Sequence, residues 1–283
     1  DCSGNCCVDD LIYNIDSLIY TDTSCSIEDQ CGVCNGEGWN DGLSCNDIFI
    51  LKQIIAAGDF SIQQSLQNET TFHNWDYNAN GVIDFNEFGE QKWSEEGRLT
   101  YLKVDIPIIL TEDIGGLIEL RELILKTSKL TAIPETIGNL QKLEILNLTS
   151  NSISLLPESI LNLLNLKKLL ISNNNLTELP ENIGDLTSLS RFDVANNALI
   201  TIPESIGSLI NLQYLFLENN QINVLPTTFA DLSSLIELKL NNNKLAEIPE
   251  SFGVFGELLQ LYLNNNQLRR LPEDFGKMNH LKI

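Results

Sequence analysis

"LTELPENIGDLTSLSRFDVANNALITIPESIGSL", Leu176 to Leu209, carries the same text twice. Leu176, Pro180, Glu181, Ile183, Gly184 and Leu186 return 23 residues on as Leu199, Pro203, Glu204, Ile206, Gly207 and Leu209. The period extends in both directions: the leucine that opens each LxxLxLxxNxL string falls at Leu120, Leu143, Leu166, Leu189, Leu212, Leu235, Leu258 and Leu281, with no slippage. A unit this short cannot bury its own apolar side chains, so each unit must share one core with its neighbours. Leucines at the first, fourth and sixth positions then face inward from a short strand, and the residues between them face outward. Asn151, Asn174, Asn197, Asn220, Asn243 and Asn266 occupy the ninth position, where the chain turns out of the strand and its backbone groups need partners. Ser128 takes that place in the first full unit.

The second half of each unit starts at Pro134, Pro157, Pro180, Pro203, Pro226, Pro249 and Pro272, and Glu follows six of these seven. Acidic residues there suit the first turn of short helices, with a metal-binding stripe as the lesser alternative. This pattern resembles the leucine-rich repeat family, specifically its 23-residue LPxxIGxL class, over seven complete units from residue 120 to 280. The resemblance implies an α/β solenoid, a horseshoe with a parallel concave sheet. A degenerate unit precedes the seven: Leu110, Ile114, Gly115 and Leu117 fit its second half, and "RLTYLKVDI", from Arg98, fits its first half with a two-residue shift. A solenoid exposes its core at both ends unless they are closed. The amino-terminal segment is the expected lid, with "FGEQKWSEEGR", Phe88 to Arg98, as an adjoining helix. At the other end "HLKI" runs three residues into a further unit with no lid in the sequence.

Repeat proteins of this kind usually bind partners on the concave face. The third and fifth positions there read Glu122/Ile124, Ile145/Asn147, Lys168/Leu170, Arg191/Asp193, Tyr214/Phe216, Glu237/Lys239 and Gln260/Tyr262. Exposed aromatics at Tyr214, Phe216 and Tyr262, surrounded by Arg191, Glu237 and Lys239, have the make-up of a binding hot spot. The expected partner is a protein, with a glycan as the alternative. A second polar column, Asn173, Asn196, Asn219, Asn242 and Asn265, is a candidate glycan ledge. Asn68, Asn147 and Asn175 open formal glycosylation sequons.

A different chemistry precedes the repeats. "WDYNANGVIDFNEF", Trp75 to Phe88, places oxygen side chains at alternate positions: Asp76, Asn78, Asn80 and Asp84, closed by Glu87. Ca²⁺ takes six to eight oxygens at about 2.3–2.6 Å, and one tight loop supplies most of them. Asp76, Asn78, Asn80, the Val82 carbonyl, Asp84 and Glu87 fill positions 1, 3, 5, 7, 9 and 12, with Gly81 at the sharp turn, so the loop resembles an EF-hand. Two neutral ligands predict weak binding, suited to calcium-rich surroundings. Upstream, Asn35 to Gly58 is similar to the first half of a dockerin: Asp47 can cap a helix on which Ile48, Leu51, Ile54 and Ile55 recur at helical spacing. Its loop fits poorly, because Ile48 falls where an acid should close it. A second ion held by some of Glu37, Asn40, Asp41 and Asp47 and a metal-free structural half both remain open.

All seven cysteines, Cys2, Cys6, Cys7, Cys25, Cys31, Cys34 and Cys45, lie in the first 45 residues, which reads as a disulfide staple in an oxidising compartment. One of the seven is left over, and a zinc site using Cys31 and Cys34 is the rival reading. "DCSGNC" and "DQCGVCNGEG" resemble Asp/Cys/Gly modules of secreted surface proteins and, more loosely, thrombospondin calcium repeats. No signal peptide or membrane-spanning run is present, and a start at "DCSGNCC" looks processed or trimmed.

Residues 1–97 hold 18 Asp/Glu against 2 Lys/Arg, and residues 98–283 hold 21 against 15, within a net charge of −22. Nucleic acid and anionic membrane are therefore poor partners. His73 and His280 stand apart from any nucleophile motif, so no enzyme activity is expected. The expected organisation is a Cys-rich segment at 1–46, a calcium-binding cap at 47–98 and repeats at 99–283. The expected protein is a secreted or cell-surface recognition or adhesion protein. The alternative is a divergent dockerin that attaches the solenoid to a scaffold.

Overall fold

Each 23-residue unit contributes one short strand, and the strands lie side by side in chain order. The computed structural model describes Asp47, Ile50, Leu51, Gln53, Ile54, residues 89–278 and Leu281. The calcium loop and the seven cysteines lie outside the described residues. Among those described, β1 (Glu90–Trp93), β2 (Leu99–Val104), β3 (Glu122–Leu125), β4 (Ile145–Asn147), β5 (Lys168–Leu170), β6 (Arg191–Asp193), β7 (Tyr214–Phe216), β8 (Glu237–Lys239) and β9 (Gln260–Tyr262) form one nine-stranded sheet in that order. From β2 onward every pairing is parallel, and from β3 onward the register keeps residues 23 apart opposite one another. Leu102 pairs with Leu123, which gives the degenerate first unit the two-residue shift read from its sequence. Inward-facing leucines such as Leu143, Leu146 and Leu148 are fully buried in one continuous core.

The ninth-position asparagines form the expected ladder. Asn174 accepts from the Ile153 N–H at 3.0 Å and donates to the Leu148 and Ile171 carbonyls at 2.9 and 3.1 Å, tying its own unit to the preceding one. Ser128 donates instead to the Val104 and Lys126 carbonyls. The residue before the ladder has a backbone reason for its identity: Asn173, Asn196, Asn219, Asn242 and Asn265 all sit at φ between 54 and 58°. Asn tolerates this left-handed region better than other residues with a Cβ. The second asparagine column thus answers a demand of the chain, whatever else it touches. Asn147 is buried and accepts from the Thr149 N–H, which leaves that sequon unsuited to carry a glycan.

The convex segments are 3-10 turns, for example Glu135–Asn139, closed by the Leu140 N–H on the Ile137 carbonyl at 3.1 Å. The glutamates that open these turns act across units. Glu112 accepts from the Thr136 N–H, Glu135 from the Ser159 N–H and Glu204 from the Thr227 and Thr228 N–H groups, each in the next unit's first turn. Stacking is close because of glycine: a Cβ on Gly138 would lie 2.5 Å from the Ser159 carbonyl oxygen. Leu161 occupies the equivalent position one unit later. The following 3-10 turn shrinks to Ile183–Asp185, and an open groove lined by Leu155, Glu158, Glu178 and Pro180 lies between the two units.

The amino-terminal end departs from expectation at Phe88–Arg98. Its residues from 90 on form β1 and a turn, not a helix, and β1 pairs antiparallel with β2. Two glycines with positive φ, Gly89 at 74° and Gly97 at 72°, frame the hairpin, and the Ser94 N–H donates to the Arg98 carbonyl at 2.8 Å. The unpaired edge of β2 is the physical reason, because exposed ladder groups on a parallel sheet are costly to leave bare. Helical residues do close the core here: Ile50, Leu51 and Ile54 are buried with Leu99 and Leu102 in the same cluster. Asp47, 0% exposed, takes the Arg98 guanidinium at 2.9–3.2 Å and the Leu99 N–H at 2.8 Å. The residue expected to cap this helix lies within it and fastens it to β2.

Candidate functional site on the concave sheet

Strands of three or four residues leave little freedom, and the alternation of the pleat decides which side chains face the concave surface. Four neighbouring strands, β6 to β9, bring Arg191, Tyr214, Phe216, Glu237, Lys239 and Tyr262 together. Their geometry is a chain of alternating cations and rings. The Arg191 guanidinium lies 5.8 Å from the Tyr214 ring centre and 4.6 Å from that of Phe216, while the Lys239 ammonium lies 4.4 Å from Phe216 and 5.6 Å from Tyr262. Each such contact contributes about 0.5–1 kcal/mol at an exposed site.

Phe216 differs from its expected exposure. It is 6% exposed, because the two cations on adjacent strands cover it. Tyr262, 40% exposed, is the accessible aromatic, and its hydroxyl donates to the Gln260 side chain at 3.0 Å. Glu237 pairs with Lys239 at 3.4 Å. Phe216 thus supports the cations from below, and the accessible chemistry of the patch is more cationic than the sequence suggested.

Two carboxyl groups that the sequence reading passed over sit beside this cluster. Burial pushes the Asp193 carboxyl above its usual range, against the opposing pull of the Ala195 N–H, Arg191 and the Ser172 hydroxyl. Burial likewise raises Glu218, with Lys239 opposing and Asp193 and Glu237 adding to the rise. The Glu218 Oε2 atom is buried with no hydrogen-bond partner among the described residues. For Asp193, an outward strand position with the small Ala195 two residues on was the available signal.

A folded-state pKa above the unfolded value means that the stability contribution is complete below the unfolded pKa and is lost as pH rises through the folded one. Asp193→Asn keeps an acceptor for Ala195 and removes the charge. Its melting temperature is expected to exceed that of the wild type at pH 8 and to match it near pH 3. Equal melting temperatures at both values would remove the buried charge as a cost.

Profiles described as "Leucine-rich repeat region", "Leucine rich repeat" and "Leucine Rich Repeat" match residues 108–202, 187–245 and 257–278, together more than half of the chain. The chain is a leucine-rich repeat protein. Among solved structures, a leucine-rich repeat protein of Leptospira interrogans is similar at 36% identity and TM-score 0.63, covering 66% of this chain and 48% of its own. A TDR receptor is similar at 31% identity and TM-score 0.57, covering 62% and 31%. A plant ice-binding protein is similar at 26% identity and TM-score 0.61, covering 80% and 72%. The repeats thus span less than half the length of the first two. No curated protein matches in a sequence comparison. Among the described residues of this leucine-rich repeat protein no helix is long and apolar enough to cross a membrane.

Proposed function

We propose that this leucine-rich repeat protein recognises a protein partner on the concave surface of β6 to β9, outside the cell or at its surface. The carrying observation is the Arg191–Phe216–Lys239–Tyr262 stack, an aromatic and cationic cluster of the composition that dominates binding energy at protein interfaces. The receptor named among the similar structures, at 31% identity, supports a recognition role. Asp76, Asn78, Asn80, Val82, Asp84 and Glu87 are proposed to hold one Ca²⁺ in the segment that precedes the repeats, and the cysteine cluster to staple it. The packing of Ile50, Leu51 and Ile54 into the repeat core favours a cap over a scaffold-docking module, which must leave its helices open.

Capture of partners from the surface fraction of the source organism, with and without calcium, tests the reading. Tyr262→Ala is expected to weaken the captured partner about tenfold, a hot-spot loss, while Thr149→Ala does little. Phe216→Ala is expected to do as much, now with some loss of stability because its ring is covered. Glu87→Gln should abolish calcium stabilisation while leaving the concave affinity intact. Unchanged binding in Tyr262→Ala would move the site off this face.

A further inference from the structure

One place on the concave face of this acidic solenoid sets two cations against each other. Several lysines and arginines elsewhere meet carboxylates across units: Arg121 and Lys167 both reach Glu144, at 3.1 and 2.6 Å, and Lys142 reaches Glu119 at 2.6 Å. Lys168 and Arg191 are directly opposed on β5 and β6, in a parallel register that sets adjacent backbones about 4.8 Å apart. Like charges so placed destabilise a sheet. Neither side chain makes an ion pair or hydrogen bond among the described residues, in a chain where 39 carboxylates outnumber 17 lysines and arginines. Asp193, two residues on along β6, attracts Arg191 and Lys239 electrostatically but makes no ion pair with either among the described residues, and it accepts from the Ala195 N–H at 3.2 Å and from the Ser172 hydroxyl.

Arg191 is also held for use. With its central carbon 4.6 Å from the Phe216 ring centre, the guanidinium gives up rotamer freedom that an exposed arginine would have to surrender on binding. Its N–H fork matches the two oxygens of a carboxylate. Lys168 stands beside it, exposed, and Lys239 lies on the other side of Phe216.

We propose that Lys168 and Arg191, with Lys239 across Phe216, form a subsite for an acidic side chain of the protein partner. This rests on the concave-face reading above and specifies its chemistry. The net charge of −22 repels a polyanion, but that field is screened beyond about 8–10 Å at physiological salt. A single carboxylate on a neutral or basic partner meets Lys168 and Arg191 inside that distance, with Lys239, paired to Glu237 at 3.4 Å, as a further cation across Phe216. The subsite therefore admits an isolated Glu or Asp and excludes nucleic acid.

The test uses the full chain and capped peptides, Ac-Leu-Tyr-Glu-Tyr-Leu-NH2 and its Gln counterpart, with inorganic phosphate as a third probe, read by NMR shifts and titration. The Glu peptide is expected to bind about fivefold or more tighter than the Gln peptide. Lys168→Gln and Arg191→Gln should each erase that difference, Arg191→Lys should restore part of it, and Lys244→Gln, on a remote surface, should preserve it. Equal binding of the two peptides overturns the subsite, as does a Glu preference that survives both Gln variants. Phosphate binding with no peptide preference would mark the cations as a free-anion site and overturn it as well. With the captured partner, loss on Tyr262→Ala but none on Lys168→Gln or Arg191→Gln would sink the subsite alone. No loss in any of the three would sink the concave reading itself.

Discussion

Asp47→Ala lowers the stability of the chain by about 3 kcal/mol, the low end of what breaking a buried ion pair costs. The aspartate is fully buried, and its partners among the described residues include Nε and Nη2 of Arg98 and the backbone N–H of Leu99. Removing it leaves a guanidinium that is one quarter exposed to find water, but a Leu99 amide at the start of β2 that cannot. The same substitution frees the helix carrying Ile50, Leu51 and Ile54 from the first strand. Urea unfolding followed by circular dichroism should show a lower midpoint, with Asp47→Asn in between because it keeps an acceptor for Leu99. An unaltered midpoint in Asp47→Ala would mean that this helix does not close the repeats.

The second large effect belongs to the middle of the stack. Asn220→Ala removes an acceptor for the Leu199 N–H at 3.0 Å and a donor shared by the Val194 and Leu217 carbonyls, both at 3.1 Å. Three hydrogen bonds at about 1 kcal/mol each, plus the cost of stranding buried backbone groups, predict a loss of about 3–4 kcal/mol. Its neighbour supplies the control. Asn219, at φ 57°, holds its place by backbone conformation, so Asn219→Gly should change the urea midpoint little. A small effect at Asn220, or a comparable one at Asn219→Gly, would show that the ladder does not hold the units together.

Position in the repeat was legible in the sequence to the residue, since a 23-residue period with inward leucines admits one register between strands. The concave columns followed, and with them all six residues of the candidate cluster. Two things did not follow. Phe216 and Tyr262 occupy the same column, yet one is covered and the other open, because coverage depends on how long side chains from adjacent strands lean, which no single unit records. The hairpin before Leu99 was missed because "EQKWSEEGR" has ordinary helix formers; the edge of β2, a tertiary requirement, overrides them. The pairing of Asp47 with Arg98 spans 51 residues and carries no local signal at all.

The string of residues that face the next unit on the convex side reads Gly115, Gly138, Leu161, Gly184, Gly207, Ala230. Where glycine stands, outer spacing is limited by backbone touching the next unit, as at Gly115 and Thr136 or Gly138 and Ser159. A side chain there acts as a shim. Spacing on the inner side is fixed by sheet hydrogen bonds, so any shim on the outer side must appear as angle rather than length. Leu161 stands where both neighbouring units have glycine, beside the open groove between the units of β4 and β5, one strand before the opposed cations of Lys168 and Arg191. The curvature of the concave surface is thus written on the opposite face of the molecule, in the residues of the convex turns.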